Sequence, residues 1–197
     1  MITASHNPKE YNGYKVYDHT GAQVNLETAE KIIQEISAIS NPFTIDILDN
    51  EKITLIDQSF DEIYLNDVKT IQINSLEPIV KLVYSPLHGT GGPIIPRLLE
   101  ETQYEVYPFM PQMTVDPNFS QTKSSNPEEA IAYEETINYA KEIDADLILI
   151  TDPDADRLGI AVKHKGDYHL LNGNQTASLE LYYILSELKK QHRLPSH

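Results

Sequence analysis

Three aspartates at alternating positions stand in the stretch Thr151-Asp152-Pro153-Asp154-Ala155-Asp156-Arg157. Carboxylates this close repel one another unless a cation lies between them, and their hard oxygen donors suit Mg²⁺. Pro153 removes a backbone donor and fixes φ, so the stretch reads as an extended loop and not as a helix start. Such a loop can turn all three carboxylates towards one point. The spacing also matches the opening of an EF-hand, but that loop requires Gly at its sixth position and Glu at its twelfth. Those positions hold Arg157 and Lys163 here. An acidic surface turn is the plain alternative. It leaves unexplained the apolar run from Leu147 to Ile150 before the loop and the arginine after it.

Elements must deliver these carboxylates. Residues 146–150 read as a buried strand, and the chain from Ile79 onwards alternates strands and helices. Strands are expected at Ile79–Tyr84, Tyr104–Tyr107 and Leu158–Val162, with a hairpin turn at Lys165-Gly166-Asp167. Helices are expected from Pro93 to about Glu101 and from Asn126, as cap, to about Ile143. Between them, Pro108, Pro111, Pro117 and Pro127 argue for a long loop. The fold class is therefore α/β, a mixed or parallel sheet with flanking helices, in which ligands bind beyond the carboxyl ends of the strands. A Gly89–Gly92 loop falls at one such end. It lacks the Lys-Ser/Thr of a P-loop and the spacing of a dinucleotide fingerprint, so it reads as packing near a cleft.

The first residues form a polar turn, Met1 to Pro8, in which Pro8 keeps Asn7 extended and displays Ser5 and His6. Tyr14–Asp18 reads as a strand, Leu26–Ile39 as a helix capped by Asn25, and Ile53–Ile56 as a short strand. Ser59 and Glu62 suggest a capping box for a helix from Phe60 to about Ile73. A last helix is expected from about Gln175 to Gln191.

Composition limits the function classes. The chain has 197 residues, 40% of them hydrophobic, and no cysteine, which removes disulfides, thiol chemistry and cysteine-ligated zinc. Thirty acidic residues against 15 basic ones give a formal charge of -15. Such a chain is a poor binder of nucleic acid or anionic membrane. No apolar run approaches the ~20 residues of a membrane span, and the N-terminus lacks a signal-peptide pattern. The expectation is a soluble, cytoplasmic protein.

Three stretches together resemble the α-D-phosphohexomutases, the phosphoglucomutase/phosphomannomutase group. Thr3-Ala4-Ser5-His6-Asn7-Pro8 is similar to the phosphoserine loop, Asn12-Gly13-Tyr14-Lys15 to the segment with a catalytic lysine, and Asp152 to Arg157 to the magnesium loop. Asp116-Pro117-Asn118-Phe119, Ser125-Asn126-Pro127 and Leu171 to Gln175 also fit. The resemblance implies that Ser5 is phosphorylated and donates the phosphoryl group. It implies that Asp152, Asp154 and Asp156 hold Mg²⁺ against that phosphate, and that Arg157 supports the phosphate or the loop. Lys15 would be a general acid/base on the sugar hydroxyl, with His6 beside the phosphoserine. Alone, each residue has a plainer reading: Ser5 as a turn former, Lys15 as a solvent-facing charge, Arg157 as a partner of Asp156.

Members of the family have four domains. By resemblance, residues 1–57 are the later part of the first, 58–168 the second with the metal loop, and 169–197 the start of the third. The implied reaction interconverts hexose 1-phosphate and 6-phosphate, with glucose 1,6-bisphosphate as intermediate or activator. Phosphomannomutase or phosphopentomutase activity stays open, as does a non-catalytic remnant that binds metal or pairs with another chain. Isolated residues 1–197 are expected to turn over poorly, and the apolar faces of incomplete domains to favour self-association.

Overall fold

The computed structural model describes residues 1–46, 53–75 and 80–194. The apolar runs of the second half pair into one five-stranded sheet. Its strands are β1 (Lys81–Ser85), β2 (Glu105–Pro108), β3 (Leu147–Thr151), β4 (Leu158–His164) and β5 (Asp167–Leu171), in the spatial order β2-β1-β3-β4-β5. β1 pairs in parallel with β2 and with β3; β3–β4 and β4–β5 are antiparallel. The sheet is therefore mixed, as the fold class allowed. β1 is an interior strand, paired on both sides, and Leu82, Val83, Tyr84 and Ser85 are fully buried, which is why it reads as a mostly apolar run.

Helices lie before, between and after the strands. They are α1 (Leu26–Ala38), α2 (Ser59–Lys69), α3 (Ile95–Glu101), α4 (Met110–Met113), α5 (Glu134–Ile143) and α6 (Gly173–Lys190). The core joins Val83, Ile148, Ile150 and Ala161 of the sheet to Tyr133 and Ala140 on the α5 side. Tyr168 on β5 donates its buried hydroxyl to the carbonyls of Ala140 and Ala145, tying the sheet edge to the end of α5. β1 leads through α3 to β2 on one side, whereas β3 turns to β4 on the other. The carboxyl ends of β1 and β3 thus flank the crevice where the connections diverge, the usual ligand position in open α/β sheets.

Several sequence expectations are corrected. Tyr14–Asp18 forms no strand; it makes only single bridges, Ile2 with Tyr14 and Tyr17 with Gln23. Ile53–Ile56 is not a strand either, and Leu55 is 91% exposed. Ser59 does not cap α2 but lies inside it, because Asp57 takes both the Ser59 N–H and hydroxyl. α2 ends at Lys69 and not near Ile73, its last turn tightening to i→i+3 bonds from Thr70 to Gln72. α3 begins at Ile95, two residues after Pro93, with Pro96 in its first turn. The long loop contains α4, whose first turn accommodates Pro111. α5 proper begins at Glu134, after a 3₁₀ turn at Ala130–Tyr133. Ile79, expected to open β1, lies outside the described residues. The cap of α1 by Asn25 and a capping box at Asn172/Gln175 of α6 are present. Large apolar side chains on both helices, including Ile33, Ile36, Leu181 and Tyr182, are exposed.

Candidate metal and phosphoryl site

The loop leaving β3 is a tight turn. Asp152 accepts the Arg157 N–H on Oδ1 at 3.0 Å, and its carbonyl accepts the Ala155 N–H at 3.0 Å. Ala155 adopts φ of 58°, so the chain reverses within the loop. This reversal gathers Asp152, Asp154 and Asp156, whose ligand oxygens lie within 4.8 Å of one another. Asp152 is fully buried, and the Asp154 side chain is 4% exposed. Asp154 Oδ1 is buried without a hydrogen-bond partner among the described residues. A buried carboxylate oxygen left unpaired is costly. A hard divalent cation among the three carboxylates would supply the missing partner, and the donor set fits Mg²⁺.

The N-terminal turn docks on this loop. Ser5 has φ of 53°, and its hydroxyl donates to Asp152 Oδ2 at 3.2 Å. His6 Nδ1 lies 3.2 Å from the same hydroxyl. Lys15 sets its ammonium 3.5 Å from Asp154 and 3.6 Å from Asp156. The structure therefore brings Ser5, His6, Lys15 and the three aspartates together. Arg157 contributes its backbone N–H to Asp152, but its guanidinium pairs with Glu128 at 3.4 Å and not with Asp156.

Two further residues escaped the sequence reading. Thr3 accepts the Ser5 N–H at 2.9 Å and donates to Asp154 Oδ2 at 3.0 Å, linking the serine turn to a carboxylate 151 positions away. Ser125 donates to the His6 carbonyl at 2.8 Å. Thr3 opens the stretch similar to the phosphoserine loop, but no role followed from that position. Ser125 lay in a quoted motif without an assigned role. Gly13 is also required locally: a Cβ there would stand 2.3 Å from the Thr3 carbonyl oxygen.

The charges are interdependent. Burial pushes Asp152 up to about 6, opposed by the Arg157 N–H and reinforced by Asp154 and Asp156. Burial also works to raise Asp154, but the Thr3 hydroxyl, a hydrogen bond shared with Asp152 and the Lys15 ammonium outweigh it and hold it below its ordinary value. Partial burial opposes the Lys15 charge, yet Asp154 and Asp156 leave its pKa raised. Asp152 thus titrates higher folded, at about 6, than the ~3.9 of an unfolded chain. The folded, cation-free chain binds the extra proton in that window and loses this contribution to stability as pH rises through it. A divalent cation must displace that proton. Its affinity is expected to fall about tenfold per pH unit below the Asp152 pKa. Titration calorimetry at a series of pH values on either side of it checks this, and a flat profile contradicts it.

Residues 62–166 match the family described as phosphoglucomutase/phosphomannomutase, alpha/beta/alpha domain II, and residues 1–43 match domain I of the same family. The phosphoglucomutase of Staphylococcus aureus (strain MRSA252) is 40% identical over 202 residues, covering 98% of this chain and 36% of that protein. The phosphoglucomutase of Staphylococcus haemolyticus is 37% identical over 193 residues, covering 94% and 35%. The chain thus spans about a third of the length of these relatives. Among solved structures, a phosphoglucomutase/phosphomannomutase family protein from Burkholderia thailandensis superposes with a TM-score of 0.73 at 23% identity, covering 94% of this chain and 37% of that one. An Aspergillus fumigatus N-acetylphosphoglucosamine mutase, solved with glucose 1,6-bisphosphate, gives 0.58 at 16% identity, covering 96% and 48%. These two structural likenesses speak for the fold.

Proposed function

Because the chain belongs to the phosphoglucomutase/phosphomannomutase family, we propose that it carries the phosphoryl-donor and metal half of a phosphoglucomutase-like enzyme, with Ser5 as the residue that bears the phosphoryl group. The observation that carries this reading is the Ser5 hydroxyl 3.2 Å from Asp152, inside the ring of three aspartates. A phosphate on Ser5 adds about -1.5 to -2 charge beside three carboxylates, and this arrangement calls for a cation. Asp152, Asp154 and Asp156 would hold Mg²⁺, which when bound supplies Lewis-acid neutralisation of phosphoryl charge.

The residues of this chain then divide the proton work. When Ser5 takes a phosphoryl group from a sugar phosphate, the bond from Ser5 Oγ to phosphorus forms and the bond from the sugar oxygen breaks. The Ser5 proton, directed to Asp152 Oδ2 in the cation-free chain, would pass instead to His6 Nδ1, 3.2 Å away, when Asp152 holds the cation. Lys15 remains a cation under Asp154 and Asp156, placed to stabilise charge on the departing sugar oxygen, and by the resemblance it would also give that oxygen its proton. The reverse transfer reverses both proton movements. Arg157 acts through its backbone grip on Asp152.

The favoured substrates are hexose phosphates, since both similar proteins named above are phosphoglucomutases. Among the described residues no helix is long and apolar enough to cross a membrane. We place the reaction in the cytoplasm because charged sugar phosphates do not cross an apolar bilayer unaided and so stay where they are made. The domain limits 1–57, 58–168 and 169–197 belong to the same proposal. The family matches at residues 1–43 and 62–166 support the first two; the third rests on the resemblance alone, and β5, Asp167–Leu171, runs across the 168/169 limit. Incubating the chain with glucose 1,6-bisphosphate and Mg²⁺ is expected to add one phosphate, mapped by mass spectrometry to Ser5 and absent from Ser5→Ala. Labelling of Ser5→Ala, or faster labelling by ribose 1,5-bisphosphate, contradicts the donor or the hexose assignment respectively.

A further inference from the structure

The loop after β1 takes a costly path. Leu87 and His88 adopt φ of 46° and 65° in succession, a left-handed conformation that side chains with a Cβ avoid unless neighbours enforce it. The neighbours here are specific. The Leu87 N–H goes to Ser85 Oγ at 3.1 Å and the His88 N–H to the Gln112 carbonyl at 2.9 Å. The buried His88 ring is fixed at both nitrogens: Nδ1 donates to the Thr114 carbonyl at 2.7 Å, and Nε2 accepts the Gln121 N–H at 3.2 Å.

This path presses Gly89 and Thr90 onto Pro153, the residue between two of the aspartates. A Cβ on Gly89 would lie 2.3 Å from Pro153 Cα and 2.4 Å from its carbonyl oxygen. Thr90 donates both its N–H, at 2.8 Å, and its hydroxyl, at 3.1 Å, to that carbonyl. The Thr90 N–H is thereby committed to protein and does not cradle a phosphate. The segment that pins His88 also supplies Ser125, whose hydroxyl holds the His6 carbonyl.

We propose that Leu87–Thr90 is a latch that sets the metal loop, with Gly89 and Thr90 as positioning residues that fix Asp152 and Asp154 through the Pro153 carbonyl. The proposal rests on the reading of the three aspartates as Mg²⁺ ligands. Partners behind a ligand commonly change metal affinity by about 10–100-fold, whereas a residue that only packs lowers thermal stability and leaves the affinity of the folded protein unchanged.

The test compares wild type, Gly89→Ala and Thr90→Val in the full chain, with two readouts. One is amide exchange at Ala155 and Arg157 without metal; the other is Mg²⁺ affinity of the folded protein by calorimetry. Gly89→Ala is expected to lose exchange protection at both amides and to bind Mg²⁺ at least about tenfold more weakly; Thr90→Val changes both in the same direction by less. Folded Gly89→Ala with unchanged protection or unchanged affinity overturns the latch. If Gly89→Ala does not fold, Thr90→Val decides by the same two criteria. Wild type that shows no Mg²⁺ binding overturns the metal reading, and the exchange readout then decides the latch by itself.

Discussion

Asp154→Asn is expected to abolish measurable Mg²⁺ binding while leaving the chain folded. The substitution keeps the shape of the side chain, and its amide oxygen can still accept the Thr3 hydroxyl that now reaches Oδ2. It removes the charge from a nearly buried donor whose Oδ1 has no protein partner among the described residues. Loss of a ligand exceeds loss of the groups behind it, so the fall in affinity should be greater than the roughly 10–100-fold typical of outer partners. Removing one of several neighbouring negative charges also relieves repulsion in the cation-free protein, which opposes any loss from the weaker Lys15 pairing. Wild type at 100 times its Kd for Mg²⁺ gains about 2.7 kcal/mol, seen as a raised melting temperature. Asp154→Asn should melt at one temperature with or without Mg²⁺. A wild-type-sized, Mg²⁺-dependent rise in the mutant contradicts the assignment.

The second large effect is on stability. Gly159 on β4 faces the Tyr133 hydroxyl, and a Cβ there would lie 2.0 Å from that oxygen and 2.5 Å from the Pro127 carbonyl oxygen. These two atoms form a buried hydrogen bond of 2.9 Å. Gly159→Ala must separate them. Overpacking costs about 1–3 kcal/mol and an unsatisfied buried hydroxyl about 1–3 kcal/mol, which together put the expected loss at roughly 2–6 kcal/mol. In a chain of this size each kcal/mol lowers the melting temperature by about 2–4 °C. Tyr133→Phe removes the nearer of the two clashing oxygens and the hydroxyl that would be left unpaired, so Gly159→Ala should cost less in that background, and a double-mutant cycle of melting temperatures measures the difference. Additive losses would place the strain elsewhere.

The carboxylate loop and its strand were legible in the sequence because both signals are local: an apolar run bounded by polar residues, then three acids at fixed spacing. Ser5 was legible only through its neighbours and the resemblance they carry, since a serine in a polar turn has no chemistry of its own. What was not legible depended on contacts distant in sequence. Thr3 matters through Asp154 and Ser125 through His6, and neither pairing leaves a periodic trace. The start of α5 was misread for a similar reason. Asn126 and Pro127 look like a helix cap, but the Asn126 side chain turns the chain at Glu128, and Tyr133 reaches back to Pro127. Regular α-helix is thereby deferred to Glu134. The Gly89–Gly92 loop read as packing, and its grip on Pro153 became visible only in three dimensions.

The central claim is that Ser5 and the three aspartates form one centre and not two neighbouring surface features. The direct measurement is Mg²⁺ titration of the chain with and without a phosphate on Ser5. Binding at two coupled sites is reciprocal, so a phosphate that shares the cation with Asp152, Asp154 and Asp156 must tighten Mg²⁺ binding. The expected result is a lower Kd in the phosphorylated chain, with the gain lost in Asp154→Asn. Equal Kd values for the two forms contradict a shared centre.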